Sequence, residues 1–427
     1  MSNEPMRQTL RRKTADVRSE RRSDGGTALM AMRILMLAGE QSGVFYAERI
    51  KREIRRAAPG EVEFRGYEDY GFNISDLAVM GIGPVLCRLF FFMRVARTMK
   101  RAIREWRPDA VVTVDYPGMN LKLAAYAKRA GVPAVHVVCP QVWAWHRGRV
   151  PKIAASLSRL LCFLPFEPAI FPPTPGFKAV FIGHPLVDVF AQERGGAGCA
   201  AVGAARAGGA EKVVALLPGS RKGEVERILP RLLASAAILN ERIPRLAFVI
   251  PAANPRVRGL IDEALSRAGL PNVSCVDGGA RDVLRASDAA AVASGTATLE
   301  AALARVPTAL VYATTPFFAF LLRYFVTGVR FAGLANIIAE RCACGGKDPP
   351  KRRPGEGPGK GGPMPELLQE DFTPEALAGL LAPWLVDPAR RAEAVGKLDS
   401  AMALLRSDGD ALGLAAREIL SAVTGGS

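Results

Sequence analysis

The sequence predicts an α/β chain of two doubly wound domains, each a parallel sheet with helices on both faces. Short apolar runs of strand length alternate with helical patterns from Met32 onward, as a parallel architecture requires. The runs fall into two sets with a Gly- and Ala-rich stretch between them. A chain of 427 residues that is 49% apolar can bury two or three cores, which excludes a disordered chain or a small stapled scaffold.

The first set comprises 34–38, 110–114, 134–138, 160–164 and 179–182, and the second 213–217, 247–250, 273–276, 289–293 and 308–311. Each is a run of four or five mostly apolar residues, the form of a strand covered on both faces. Residues 1–31 read as a disordered basic extension with no apolar core of a secretion signal. The first domain is placed at 32–190, a linker at 191–210, the second domain at 211–385 and C-terminal helices at 386–427. Within the second domain, 341–365 is so rich in Pro and Gly that it reads as an inserted flexible loop. The longest uncharged stretch, 306–322, is short and broken by Pro307 and Pro316, so no transmembrane segment is expected.

Charge narrows the partners. The 57 Lys and Arg against 41 Asp and Glu give a formal net charge of +16, which points either to an anionic partner (nucleic acid, an anionic membrane or a phosphorylated substrate) or to basic residues scattered for solubility. No aromatic-interleaved basic motif of a nucleic-acid module is present, and no nucleic-acid partner is expected. Seven scattered cysteines, mostly in apolar runs, read as reduced, buried thiols. Cys342-Ala-Cys344 has no second pair and no nearby His, so no metal is expected.

Two turns in the second domain invite an anion. After the run at 213–217, Pro218-Gly219-Ser220-Arg221 leads into a helix whose first N–H groups have no internal partner, and Arg221 adds a fork-shaped donor. After 289–293, Ser294-Gly295-Thr296 offers two hydroxyls and close backbone approach, with Glu300 placed for a sugar hydroxyl. Each turn alone is equally an ordinary capped helix start. Together, at the carboxyl ends of strands in one domain, they suit a nucleotide diphosphate. Neither fits the P-loop spacing, and no dinucleotide fingerprint follows a strand. In the first domain, 38–43 is a Gly-flanked turn presenting Glu40 and Ser42, and the run 110–114 ends in Asp115, either a general base or a turn cap.

Residues 77–106 join an apolar segment to a basic amphipathic helix. Leu77, Val79, Met80, Ile82, Phe90 and Phe91 exceed what one buried face needs, and Arg94, Arg97 and Arg101 share a face. The alternatives are insertion among anionic lipids and a core helix with a solvated face.

These motifs together resemble the lipid A disaccharide synthase family. The matching segments are AGEQSG (38–43), LAVMGI (77–82), the strand ending in Asp115 with Pro117 and Asn120, and CPQVWAWHRGRVPKI (139–153). FLPFE (163–167), FIGHPL (181–186), LLPGSRKGEVE (216–226), ASDAAAVASGTATLEAAL (286–303), LANIIA (334–339) and PELLQE (365–370) follow in order. The resemblance implies a GT-B type glycosyltransferase with a cleft between its domains. It implies inverting transfer of 2,3-diacylglucosamine from UDP-2,3-diacylglucosamine to 2,3-diacylglucosamine 1-phosphate, without cofactor or metal, on the cytoplasmic face of an inner membrane with anionic lipids. It assigns catalysis to Asp115 and Glu40, and donor binding to Gly219, Ser220, Arg221, Ser294, Gly295, Thr296, Glu300 and Asn336. Ser42, Asn120, Trp143, Trp145 and His184 fall to the acceptor side and its loops. Trp143 and Trp145 either line the acceptor cleft or pack beneath the loop, and His184 either touches the donor or makes a structural hydrogen bond. Val44 stands where the family carries Asp, and Gly118 where it often carries a second acid, which leaves Asp115 as the only local carboxylate. Competing readings are another UDP-N-acetylglucosamine enzyme, whether a peptidoglycan-type transferase or a 2-epimerase, and a non-catalytic basic binding protein.

Overall fold

The computed structural model describes residues 31–77, 89–192, 197–316, 319–320, 328–344, 349 and 361–425. Two compact units are present. The first holds the chain to Val142, His146–Pro185 and Ser407–Ser427, and the second Trp143–Trp145 and Leu186–Arg406.

The first unit contains β1 (Met32–Ala38), α1 (Gln41–Ala57), β2 (Val62–Arg65), α2 (Leu89–Glu105), β3 (Ala110–Val114), α3 (Pro117–Arg129), β4 (Ala134–Val137), α4 (Val150–Ser156), β5 (Arg159–Cys162) and β6 (Lys178–Phe181). Its six strands are all parallel, in the order β2-β1-β3-β4-β5-β6. Successive side chains of β1 enter opposite layers: Leu35 and Leu37 pack with α2 and α3, while Ile34 and Met36 pack with Ile50 and Ile54 of α1.

The second unit contains α5 (Pro185–Gln192), α6 (Ala197–Ala207), β7 (Lys212–Leu217), α7 (Lys222–Arg242), β8 (Leu246–Ala252), α8 (Pro255–Ala268), β9 (Val273–Asp277), α9 (Ala280–Ala286), β10 (Ala289–Ala293), α10 (Thr296–Leu303), β11 (Thr308–Tyr312), α11 (Leu334–Ala343), β12 (Glu366–Leu368), α12 (Pro374–Val386) and α13 (Pro388–Ala403). Its sheet is also parallel, in the order β12-β11-β10-β7-β8-β9. The direction of strand progression reverses between β1 and β3 in one sheet and between β7 and β10 in the other. At such a switch point the connecting loops diverge to opposite faces and leave a crevice beyond the carboxyl ends of the strands. The turns singled out in the sequence lie at these two places.

Three segments differ from the sequence reading. The expected loop at 341–365 starts within α11, where Arg341 is buried, and ends on the buried Met364, which is hydrogen-bonded to Asn336. The expected linker at 191–210 contains α6, an Ala-rich helix whose Val202 is buried with Val283 and Leu284 of α9. The expected C-terminal helices at 386–427 are shared between the units. α13 belongs to the second, whereas α14 (Ala411–Thr424) packs on α1 in the first through Leu412, Ala415, Ala416 and Ile419. Glu418 of α14 pairs with the buried Arg159 at 3.4 Å.

Among the described residues, no helix is long and apolar enough to cross a membrane. The proposed membrane segment is corrected in part. Leu77 is fully buried in the first core, and Phe91 packs edge-on against Phe72 rather than facing outward. Val79, Met80 and Ile82 lie outside the described residues. What α2 does expose is Leu89, Phe90 (85% exposed) and Met93, followed by Arg94, Arg97 and Arg101, while Val95, Met99 and Ile103 take its buried face.

Candidate functional site

At the first switch point, β1 runs into Gly39 and Glu40, and β3 into Asp115 and Tyr116. Asp115 and Tyr116 both take the left-handed conformation, at φ 53° and 51°. That conformation costs about 1–2 kcal/mol per non-Gly residue, so surrounding contacts must impose it. Asn120 supplies them. Its side chain is fully buried, and Nδ2 donates to the carbonyl oxygens of Asp115 (2.8 Å), Leu37 (3.2 Å) and Val114 (3.3 Å). Its Oδ1 accepts from the buried Tyr67 hydroxyl at 2.7 Å. Asn120, expected on the acceptor side, is therefore a clamp that ties the ends of β1 and β3 together and fixes the Asp115 turn.

Tyr116 lies flat on Gly39, where a Cβ would come within 2.5 Å of the ring, so only glycine fits. Burial first, and then the charge of Asp115, push the Glu40 carboxyl up. Glu40 and Asp115 follow the adjacent strands β1 and β3, close enough for the charge of Asp115 to act on Glu40. Burial, with Glu40 beside it, also raises the Tyr116 phenol. Ser42 is exposed in the first turn of α1, and Val44 packs partly against the core beneath. His184 follows β6, buried, its ring centroid 5.3 Å from that of Phe163, and burial lowers its pKa to about 4.

At the second switch point, β7 and β10 are neighbours, so their two turns sit side by side. Gly219 takes φ 110°, a conformation for glycine, and Arg221 caps α7. The N–H groups of Ser220 and Arg221 point at one carboxylate oxygen of Glu224, 3.2 and 3.4 Å away, and the Arg221 guanidinium donates to the other at 2.9 Å. Glu224 thus engages both N–H groups of this turn and the Arg221 guanidinium. Asn254 Nδ2 braces the turn by donating to the Ser220 carbonyl.

The turn after β10 places Ser294 half-buried and Gly295 and Thr296 exposed at the start of α10. Glu300, one turn further, accepts from Arg281 at 2.9 Å, so one carboxylate oxygen is already engaged. Asn336 is 1% exposed and mimics a backbone: Nδ2 donates to the Met364 carbonyl, Oδ1 accepts from the Met364 N–H, and Nδ2 also reaches Glu366. Glu366 in turn accepts from the Ala332 and Gly333 N–H groups. The side chain expected at the donor is thereby committed to holding β12 and the 331–333 turn. Trp143 is buried, with the Arg341 guanidinium over its ring and donating to its carbonyl at 3.0 Å, while Trp145 is 54% exposed.

A family model described as lipid-A-disaccharide synthetase matches residues 34–344. A lipid-A-disaccharide synthase of Azoarcus sp. (strain BH72) is 38% identical over 372 residues, covering 84% of this chain and 88% of the relative. One of Xanthomonas campestris pv. campestris (strain 8004) is 33% identical over 399 residues, covering 90% and 85%. Among solved structures, the UDP-GlcNAc 2-epimerase of Neisseria meningitidis bound to UDP-GlcNAc superposes with a TM-score of 0.55 at 12% identity, covering 92% of this chain and all of that one. The UDP-forming α,α-trehalose-phosphate synthase of Burkholderia xenovorans gives 0.51 at 14% identity, covering 92% and 99%. At such identities the likeness is one of fold.

Proposed function

Because this chain belongs to the lipid-A-disaccharide synthetase family, we propose that its first unit presents the catalytic base and its second the seat for the donor diphosphate. The chain is a UDP-sugar-dependent glycosyltransferase acting on a lipid acceptor. The finer reading is transfer of 2,3-diacylglucosamine from its UDP conjugate to the 6-hydroxyl of 2,3-diacylglucosamine 1-phosphate, with inversion and release of UDP.

The observation that carries the mechanism is Asp115 on a strained left-handed turn at the β1–β3 switch point, held there by the buried Asn120. Asp115 takes the proton of the acceptor hydroxyl as the hydroxyl attacks the anomeric carbon. Glu40, whose carboxyl burial and the charge of Asp115 push up, stands beside the base at the end of β1. Negative charge developing on the departing diphosphate meets the Ser220 and Arg221 N–H groups and the Arg221 guanidinium once Glu224 swings aside. The hydroxyls of Ser294 and Thr296 line the neighbouring turn, and the second oxygen of Glu300 is left for a ribose hydroxyl.

Supplying UDP-2,3-diacylglucosamine with and without the monosaccharide 1-phosphate tests the substrates: UDP and a disaccharide 1-phosphate appear only with both. Turnover of unacylated UDP-N-acetylglucosamine alone would instead indicate a 2-epimerase. The exposed Leu89, Phe90 and Met93 beside Arg94, Arg97 and Arg101 form the surface that meets anionic lipid, each Arg contributing about 1 kcal/mol. Phe90→Glu should lose flotation with anionic vesicles, and unchanged flotation would remove α2 from that role.

A further inference from the structure

We propose that Cys139, Cys162 and Glu167 form a binding site for one thiophilic divalent cation of the zinc class, buried in the first unit. The two sulfurs and a carboxylate oxygen lie within 4.8 Å of one another, and all three residues are buried. They are brought together by the sheet. Cys162 ends β5, Cys139 lies two residues beyond the neighbouring β4, and Glu167 returns to them through the turn that follows β5.

The donor set and its spacing fit such a cation. With bonds of about 2.3 Å to sulfur and about 2.0 Å to oxygen, tetrahedral zinc places its sulfurs about 3.8 Å apart and a sulfur and an oxygen about 3.5 Å apart. The three side chains supply three of the four ligands of such a cation. Thiolates select d10 cations over magnesium or calcium, and the mixed S₂O set leaves hard cations disfavoured. The Leu164 N–H donates to Glu167 Oε2 at 3.1 Å and orients the carboxylate toward the sulfurs.

Binding replaces two thiol protons by the cation, and the protons leave to solvent, so no electron changes hands. Two thiolates and one carboxylate would be a costly cluster of charge inside an apolar core, and a divalent cation offsets most of it. Once held, the cation ties the loop opening at Cys139 to β5 and to the turn at 164–167. The spacing of 22 residues between the cysteines hides the site in the sequence, because the contact is made across adjacent parallel strands.

The test uses the full chain, kept reduced and stripped with a chelator, then titrated with cadmium while the thiolate-to-cadmium charge-transfer absorption is followed. One equivalent should saturate the site, zinc should displace the cadmium, and either metal should raise the melting temperature. Cys139→Ser and Cys162→Ser should each abolish this tight uptake, and Glu167→Gln should weaken it about tenfold or more while the absorption of both thiolates persists. Cys342→Ser and Cys344→Ser should leave it unchanged. If the parent chain takes up no cadmium at one equivalent, or if uptake survives loss of Cys139, the site does not exist. The parent titration decides the matter even if a Ser variant fails to fold.

Discussion

Replacing Asn120 with Ala removes the side chain that joins β1, β3 and Tyr67. The Tyr67 hydroxyl, in a side chain 2% exposed, loses its acceptor, and the Asp115 carbonyl loses its shortest donor from that side chain. Leaving a buried polar group without a partner costs about 1–3 kcal/mol, so these two losses, with the weaker contacts to Leu37 and Val114, amount to about 3 kcal/mol. With a urea slope of about 2 kcal/mol per molar, the transition of the first unit should move down by about 1.5 M. Tyr67→Phe removes only the hydroxyl and leaves Asn120 Oδ1 short of a donor, so it should cost about 1 kcal/mol. The double variant should cost less than the two single changes added together, because they share one hydrogen bond. The same clamp imposes left-handed geometry on Asp115, so Asn120→Ala should also lower kcat about tenfold or more at temperatures where it remains folded. KM for the UDP-sugar should stay close to that of the parent. A loss of stability below about 1 kcal/mol together with an unchanged kcat would mean that the turn holds its shape without Asn120.

Two other outcomes follow from the same geometry. Burial lowers His136 to about 3 and His184 to about 4, so both imidazoles are neutral in the fold and bind protons once the chain unfolds. From pH 6.5 downward the unfolded chain therefore holds more protons and stability falls, each histidine costing about 2.5 kcal/mol by pH 4.5. Urea midpoints between pH 7.5 and 4.5 check this, and His184→Gln should flatten the slope. At the second switch point, Glu224→Gln should tighten UDP binding about threefold to fivefold by calorimetry, because the displaced group no longer carries charge and its exposed ion pair with Arg221 contributes under about 1 kcal/mol. Unchanged affinity would mean that the diphosphate does not use the Ser220 and Arg221 N–H groups.

How much of this was legible in the sequence depends on burial. The eight central strand runs announce themselves because both faces are covered and nearly every position is apolar, and the edge strands β6 and β9 keep enough apolar residues to show as well. The edge strands β2 (VEFR) and β12 (ELL) are short and partly polar, and carry no such signal. The apolar excess at 77–91 was attributed to lipid because periodicity alone cannot separate residues packed under a loop, such as Leu77 and Phe91, from residues facing solvent, such as Phe90. Both switch-point turns were legible from Gly, Asp and Arg after apolar runs. The partners that shape them were less so. Glu224 stands three residues after the cap of α7, the spacing of a capping box, and was open to that rule. Tyr67 and Glu366 were not, since Tyr67 reaches Asn120 across 53 residues and Glu366 reaches Asn336 across 30. Asn120 and Asn336 were found by motif and assigned to ligands, yet the hydrogen-bonding capacity of both side chains is spent on backbone and neighbours.

The proposed chemistry turns on Asp115 removing the acceptor proton. Disaccharide formation by Asp115→Asn, measured by mass spectrometry under saturating donor and acceptor alongside UDP affinity by calorimetry, tests it most directly. If Asp115 is the base, turnover falls by about 10²-fold or more with UDP affinity close to the parent's. Turnover equal to the parent's would take the base role away from Asp115.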